Sequence, residues 1–274
     1  MRHLFLCSLL LFSISAGAIA DSIALLGVNV VDVRGLRVLQ QRDIAIEGNR
    51  ISAVVEAGTL AHSPGRVDID MAGKYVIPGL VDAHVHLATD PDREDREEVT
   101  LSRLRAQLRG GVTAVRDMGG DVRTLAGLKR RAEINAITSP DIYYSVILGG
   151  PGFFTDSRTV SSARGRTPGE TDWMRAVKAD SDLEAIVLRA QGTGATGLKA
   201  YADIPAPLLQ AIAESARRHA MPLWSHAYHR GASPQQVASA GVQVISHAPY
   251  LAAQSIPDYH SWHRGKREVP GDVM

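Results

Sequence analysis

Cysteine is nearly absent from this 274-residue chain, and Cys7 is the only one. It falls within residues 1–20, where Arg2 and His3 precede an apolar stretch from Leu4 to Ile14. Ala18-Ile19-Ala20 then offers small residues for cleavage. The pattern reads as a secretory signal peptide, too short to span a bilayer. The expected location is therefore secreted or periplasmic. With Cys7 in the signal, the remainder has no thiol, which excludes disulfide stapling and thiolate chemistry. Cys7 also precedes most of the apolar run, which argues against a lipid anchor. A charge excess is lacking too. Beyond residue 20 the Lys+Arg and Asp+Glu counts are equal, so nothing favours nucleic acid or an anionic membrane as partner. No later apolar run is long enough to cross a bilayer. No Gly-rich phosphate loop follows any expected strand, which argues against a nucleotide-binding open sheet.

What is present divides into two patterns. Residues 24–32, 43–47 and 50–55 are rich in Val and Ile, with Gly35 and Gly48-Asn49 as turns between them. Short β segments of this kind predict a small N-terminal β-sandwich-like domain over 21–74. From residue 75 strands alternate with helices. Strands are expected at 75–85, 112–116, 141–148, 196–201, 222–226 and 243–247. Helices are expected at 93–109, 122–132, 181–191, 205–219 and 234–240. Repeated β–α units imply a parallel sheet with helices outside it. The fold class is α/β, a (β/α)8 TIM-barrel type left incomplete at about six strands over 75–250. A doubly wound open sheet is the structural alternative. Residues 149–180 read as a long irregular insertion carrying Phe153-Phe154 and Trp173, and residues 251–274 as an irregular tail.

The chemistry sits at strand ends. His84 and His86 close the first strand, and alternation puts both on one face, where two imidazoles can grip one divalent metal ion. Lys199 lies in the fourth strand, His226 ends the fifth and His247 ends the sixth. In a parallel barrel the strand C-termini share one rim, so these residues would converge on one pocket. A lone strand-end histidine is ordinarily a hydrogen-bonded polar residue; the ordered set is the signal. Arg116 and Asp117 end the second strand and could orient substrate or form a structural ion pair. Tyr201 and Tyr228 could line the pocket. His229 reads as a rim-loop residue, and His62, His219, His260 and His263 as solvent or packing histidines.

The run Val76-Ile77-Pro78-Gly79-Leu80-Val81-Asp82-Ala83-His84-Val85-His86 resembles the first barrel strand of the amidohydrolase superfamily. Gly111-Val112-Thr113-Ala114-Val115-Arg116-Asp117 and Gly194-Ala195-Thr196-Gly197-Leu198-Lys199 are similar to the second and fourth strands of its imidazolonepropionase-like and prolidase-like branch. The resemblance covers roughly residues 24–250. It implies that His84 and His86 bind a first metal, that His226 and His247 bind a second, and that Lys199 is carboxylated and bridges them. A free ammonium cannot ligate a cation, so such a lysine needs deprotonation or carbamate formation. The implied cofactor is a divalent metal, zinc by its histidine ligands, as one or two ions. The implied reaction is hydrolysis of a carbon–nitrogen bond in a small amide, cyclic amide or dipeptide-like substrate through metal-activated hydroxide.

One part of the family pattern is missing. An Asp is expected after the eighth strand, and no Asp in a suitable strand follows His247. The expectation is a chain truncated at its C-terminus. Two rival readings follow: a metal- or ligand-binding remnant without turnover, and a lactone or phosphoester hydrolase of the same superfamily. Open sheet edges would leave room for a partner copy, so a homo-oligomer is possible.

Overall fold

The structure is a computed structural model that describes residues 22–88 and 97–256. The signal-peptide reading at 1–20 and the tail beyond 256 lie outside the described residues. Two compact units divide the chain between Pro78 and Gly79.

The first unit is a five-stranded sheet. It contains β1 (Ser22–Asp32), β2 (Arg37–Glu47), β3 (Arg50–Glu56), β4 (Val67–Asp70) and β5 (Tyr75–Val76). The strand order is β3-β2-β1-β4, and β5 also pairs with β1. The β1–β2 and β2–β3 pairs are antiparallel, whereas β4 and β5 run parallel to β1. Gly48 turns the β2–β3 hairpin at φ 58°, and Glu47 faces Arg50 across it. Asp43 fixes a local irregularity. Register shifts on β1 where Gly27 takes φ 69°. The buried Asp43 carboxylate accepts the Gly27 amide at 2.9 Å and the Gly58 amide at 2.8 Å. A bulged amide without that acceptor would be an orphan.

The expected single strand over 75–85 is two strands in different units. Tyr75–Val76 stays with the small sheet, and β6 (Leu80–Val85) opens the second unit. Pro78 between them has no N–H to give to a ladder. Gly79 is required sterically, because a Cβ there would lie 2.0 Å from Thr113 Oγ1.

The second unit is a nearly closed parallel barrel of six strands. In chain order it continues α1 (Glu97–Arg109), β7 (Val112–Asp117), α2 (Val122–Glu133), β8 (Asp141–Gly149), α3 (Ser157–Ser162), β9 (Met174–Ala176), α4 (Leu183–Gly192) and β10 (Gly197–Ala200). It ends with α5 (Ala206–Arg218), β11 (Leu223–His226), α6 (Pro234–Ser239) and β12 (Val244–Ser246). The barrel order is β6-β7-β8-β10-β11-β12, every pair parallel. α1 packs on β7, α2 on β8 and α4 on β10, and α5 packs on α4. In α5 the buried set Leu209, Ile212, Ala213 and Ala216 follows the helical repeat. The helix-to-strand turns share a device: Gly111, Gly194 and Gly241 take φ 87°, 79° and 86° after α1, α4 and α6. A residue there must be left-handed to release the chain into the next strand.

The irregular reading of 149–180 needs correction. A 3-10 turn at Pro151–Thr155, α3 and β9 order much of the segment. β8 outruns β7, whose pairing stops at Asp117 opposite Tyr144. β9 covers the exposed edge beyond, pairing Met174 with Ile147. Phe153, Phe154 and Trp173 are buried, and Trp173 Nε1 donates to the Ser162 carbonyl at 3.1 Å.

Candidate metal centre

The barrel centre is built in layers by strand alternation. On β11, Trp224 and His226 share a face, as do Gly197 and Lys199 on β10. Gly197 leaves room for the indole, since a Cβ there would meet Trp224 at 2.7 Å. The Arg116 guanidinium lies 4.5 Å from the Trp224 ring centre, and its Nε donates to the Ala83 carbonyl at 2.8 Å. Above this layer stand Lys199 and the histidines.

The ligand nitrogens of His84, His226 and His247 all lie within 4.8 Å of one another. The His84 and His247 ring centres are 4.7 Å apart, and so are those of His226 and His247. Lys199 Nζ is 3.4 Å from His84 Nε2. The His86 ring centre is 5.4 Å from that of His84, just outside the tight three. His247 falls one residue past β12 with φ 64° and ψ 68°. The strand expected over 243–247 therefore ends at Ser246, and the candidate ligand His247 is a left-handed residue. A non-glycine residue in that region is strained.

Asp117 makes no ion pair with Arg116. Its fully buried carboxylate accepts the Leu87 amide at 2.5 Å and the Gly119 amide at 2.9 Å. It thereby pins the chain one residue past His86. Burial pushes its pKa up, and these backbone donors oppose the rise.

Electrostatics keep the ring nitrogens free. Burial is the largest cause in every case, followed by the nearby Lys199 charge. His84 is taken down to about 3, His86 to about 4 and His226 to about 2. His247 is lowered as well. Burial likewise brings Lys199 to about 7. At neutral pH the imidazoles are unprotonated, the form that binds metal. Nδ1 of His84 and Nε2 of His226 are buried without a hydrogen-bond partner. Imidazoles with such orphan nitrogens, beside an amine that loses its proton easily, fit a divalent cation. The cluster contains no carboxylate among the described residues.

A cavity of about 320 Å³ adjoins His226. Phe153, Tyr201, Tyr228, His229 and Tyr250 are among its lining residues, and Arg116 is not. The Tyr201 ring centre is 4.6 Å from that of His226 and 4.5 Å from that of Phe153, while Lys199 Nζ lies 4.5 Å from the Tyr201 ring centre. The sequence reading placed Phe153 in the 149–180 insertion, and it missed Tyr250 and the burial of His229. Tyr250 stands three residues after His247, the one available hint. His219, read as a solvent or packing histidine, pairs with Glu184 between α4 and α5.

A parallel barrel with a histidine cluster at its strand ends is an α/β barrel with a candidate metal site. The amidohydrolase family profile matches residues 75–256, and the chain belongs to that family. A dihydroorotase of Trichlorobacter lovleyi is 42% identical over 73 residues, which are 27% of this chain and 16% of that protein. A dihydroorotase of Desulforapulum autotrophicum is 30% identical over 127 residues, 41% of this chain and 29% of the relative. Among solved structures, a prolidase complexed with N-methylphosphonate-L-proline superposes with a TM-score of 0.66 at 26% identity. That alignment covers 83% of this chain and 61% of the prolidase. The chain thus spans less than a third of these dihydroorotases and about three fifths of the prolidase.

Proposed function

We propose that the chain is a metal-dependent amidohydrolase that hydrolyses a carbon–nitrogen bond in a small amide, cyclic amide or dipeptide-like substrate. The observation that carries this reading is the convergence of His84, His226 and His247 with Lys199 at one end of the barrel. Their relatives support the reaction class: dihydroorotases in sequence and a prolidase in structure. His84, His86, His226 and His247 would hold one or two ions, zinc by donor type, with Lys199 as a carboxylated bridge. A divalent cation there supplies Lewis acidity and lowers the pKa of water from ~15.7 towards ~7.

The chain's own residues account for the rest. Tyr201 and Phe153 present an apolar wall beside His226. Tyr228 adds a phenol to the same cavity, where it can orient a polar group of the substrate. Asp117 holds the turn after His86 rigid. Arg116 closes the floor of the barrel by stacking on Trp224.

The test is metal content of the purified chain beside His84→Ala and His226→Ala. Stoichiometric zinc in the parent, lost in both variants, supports the reading, and a folded parent without metal sinks it. A panel of amides, lactones and phosphoesters then separates carbon–nitrogen hydrolysis from its rivals. We further propose secretion or periplasmic location on the signal-peptide pattern of residues 1–20, and N-terminal sequencing of the exported protein checks it. β6 and β12 are the end strands of the barrel sheet, and light scattering would show whether a second copy pairs there.

A further inference from the structure

Among the polar groups that line the cavity beside His226, His229 is one that the metal centre does not use. His229 follows β11, is 4% exposed and lines the cavity. Its Nδ1 lies 3.4 Å from the Arg230 carbonyl oxygen. A carbonyl only accepts, so this contact is a hydrogen bond in the tautomer with the hydrogen on Nδ1, which leaves Nε2 a bare lone pair. That Nε2 is buried with no hydrogen-bond partner. Burial lowers the pKa of the imidazole, which keeps the ring neutral and Nε2 an acceptor.

The turn carrying His229 is held in place. Arg230 pairs with Asp203 through two contacts, Nε to Oδ1 at 2.5 Å and a terminal nitrogen to Oδ2 at 2.6 Å. Asp203 sits at φ 57°, with the backbone of Gly150 packed so closely that a Cβ there would lie 2.1 Å from the Asp203 carbonyl. Gly231, at φ 98°, packs against the Ile204 carbonyl, where an added Cβ would approach to 2.9 Å. The loops after β10 and β11 are thus clasped beside His229. An unsatisfied acceptor beside an aromatic wall is built to receive a donor.

We propose that His229 is a specificity-determining residue whose Nε2 accepts a hydrogen bond from an N–H or O–H of the bound ligand. The ligand class is an apolar or aromatic body, packed on Phe153 and Tyr201, that carries a primary or secondary amide or a similar donor. The choice of an amide rests on the hydrolase reading above, whereas binding in the cavity requires neither metal nor turnover.

Calorimetric titration of the full chain with phenylacetamide and with N,N-dimethyl-2-phenylacetamide tests this, since only the first has N–H donors. The parent should favour phenylacetamide roughly tenfold, as one hydrogen bond to a buried orphan acceptor implies. His229→Leu should reduce that preference below about twofold. His229→Gln, whose side-chain carbonyl can accept, should restore part of it. In the unaltered chain labelled with ¹⁵N-histidine, the His229 Nε2 resonance should move with phenylacetamide and stay fixed with the dimethyl compound. Equal preference in the parent and His229→Leu, no preference or no binding in the parent, or an unmoved resonance would overturn the proposal. Metal content of the same samples tests the hydrolase reading separately.

Discussion

Lys199→Met isolates the energetic conflict at the barrel centre. Lys199 is fully buried, with its amine 3.4 Å from His84 Nε2. Burial takes its pKa from 10.5 to about 7; Asp117 opposes the shift and Arg116 adds to it. The folded value lies below the unfolded one, so the unfolded chain binds more protons between them. The lysine therefore disfavours folding fully below about pH 7. The penalty fades as pH rises through that window and is gone above the unfolded pKa. At ~1.36 kcal/mol per unit, the shift corresponds to a ceiling of about 4–5 kcal/mol. Between pH 7 and pH 9 about 2 kcal/mol of it should be relieved. Methionine has a similar length and no charge. In metal-free, CO2-depleted buffer Lys199→Met should exceed the parent in stability by a few kcal/mol at pH 7, with the gap narrowing by about 2 kcal/mol at pH 9. Urea unfolding followed by tryptophan fluorescence reads this, because Trp173 and Trp224 are both buried in the barrel unit. A gap that stays constant between pH 7 and pH 9, or a variant weaker than the parent at pH 7, refutes the reasoning. With zinc and bicarbonate present, the parent should gain more stability than the variant, which keeps the histidines but has no amine to carboxylate.

Asp117→Ala removes the acceptor of the buried Leu87 amide and the half-buried Gly119 amide and should cost about 2–4 kcal/mol in urea unfolding. The same variant should lower zinc content, because the turn after His86 loses its anchor. Gly197→Val drives a side chain into Trp224, where even a Cβ lies 2.7 Å from the ring, and should cost about 1–3 kcal/mol. The unfolding midpoint checks it, with a change in tryptophan emission if the Arg116 stack is disturbed. Tyr144→Phe removes the hydroxyl donor to the Thr193 carbonyl at 2.8 Å and should cost about 0.5–1.5 kcal/mol by the same assay, leaving zinc content unchanged.

Local pattern carried the sequence reading a long way. β10 and β11 are short apolar runs in which alternation alone puts Lys199 and His226 inward, and glycines at 111, 194 and 241 mark where helices release the chain. Features set by distant partners were not legible. The close approach of Gly79 to Thr113 arises only once β6 pairs with β7. β9 exists because β8 extends past β7, a length mismatch between strands far apart in sequence. His229 looked like a rim residue because its burial depends on Arg230 reaching Asp203, 27 positions away. His247 was placed in register as a strand residue, yet its backbone turns left-handed one step after β12 ends.

The distribution of unsatisfied polar atoms links these particulars. Six buried side-chain nitrogens or oxygens lack a partner among the described residues, and four belong to His84, Ser225, His226 and His229. These four lie on β6, on β11 and in the turn after β11. Folded chains ordinarily satisfy such groups, because each orphan forfeits its hydration without return. A core selected for stability alone would place apolar side chains there, as the flanking Leu198 and Leu223 show. The barrel instead gathers neutral imidazoles and a deprotonation-prone amine where the strands end, and fixes the turn beside them with the Asp203–Arg230 clasp. Ser225 alternates to the other face of β11, but the orphans of His84, His226 and His229 belong to the barrel end and its adjoining cavity, which is the arrangement expected when bound species complete the polar contacts that the fold leaves open.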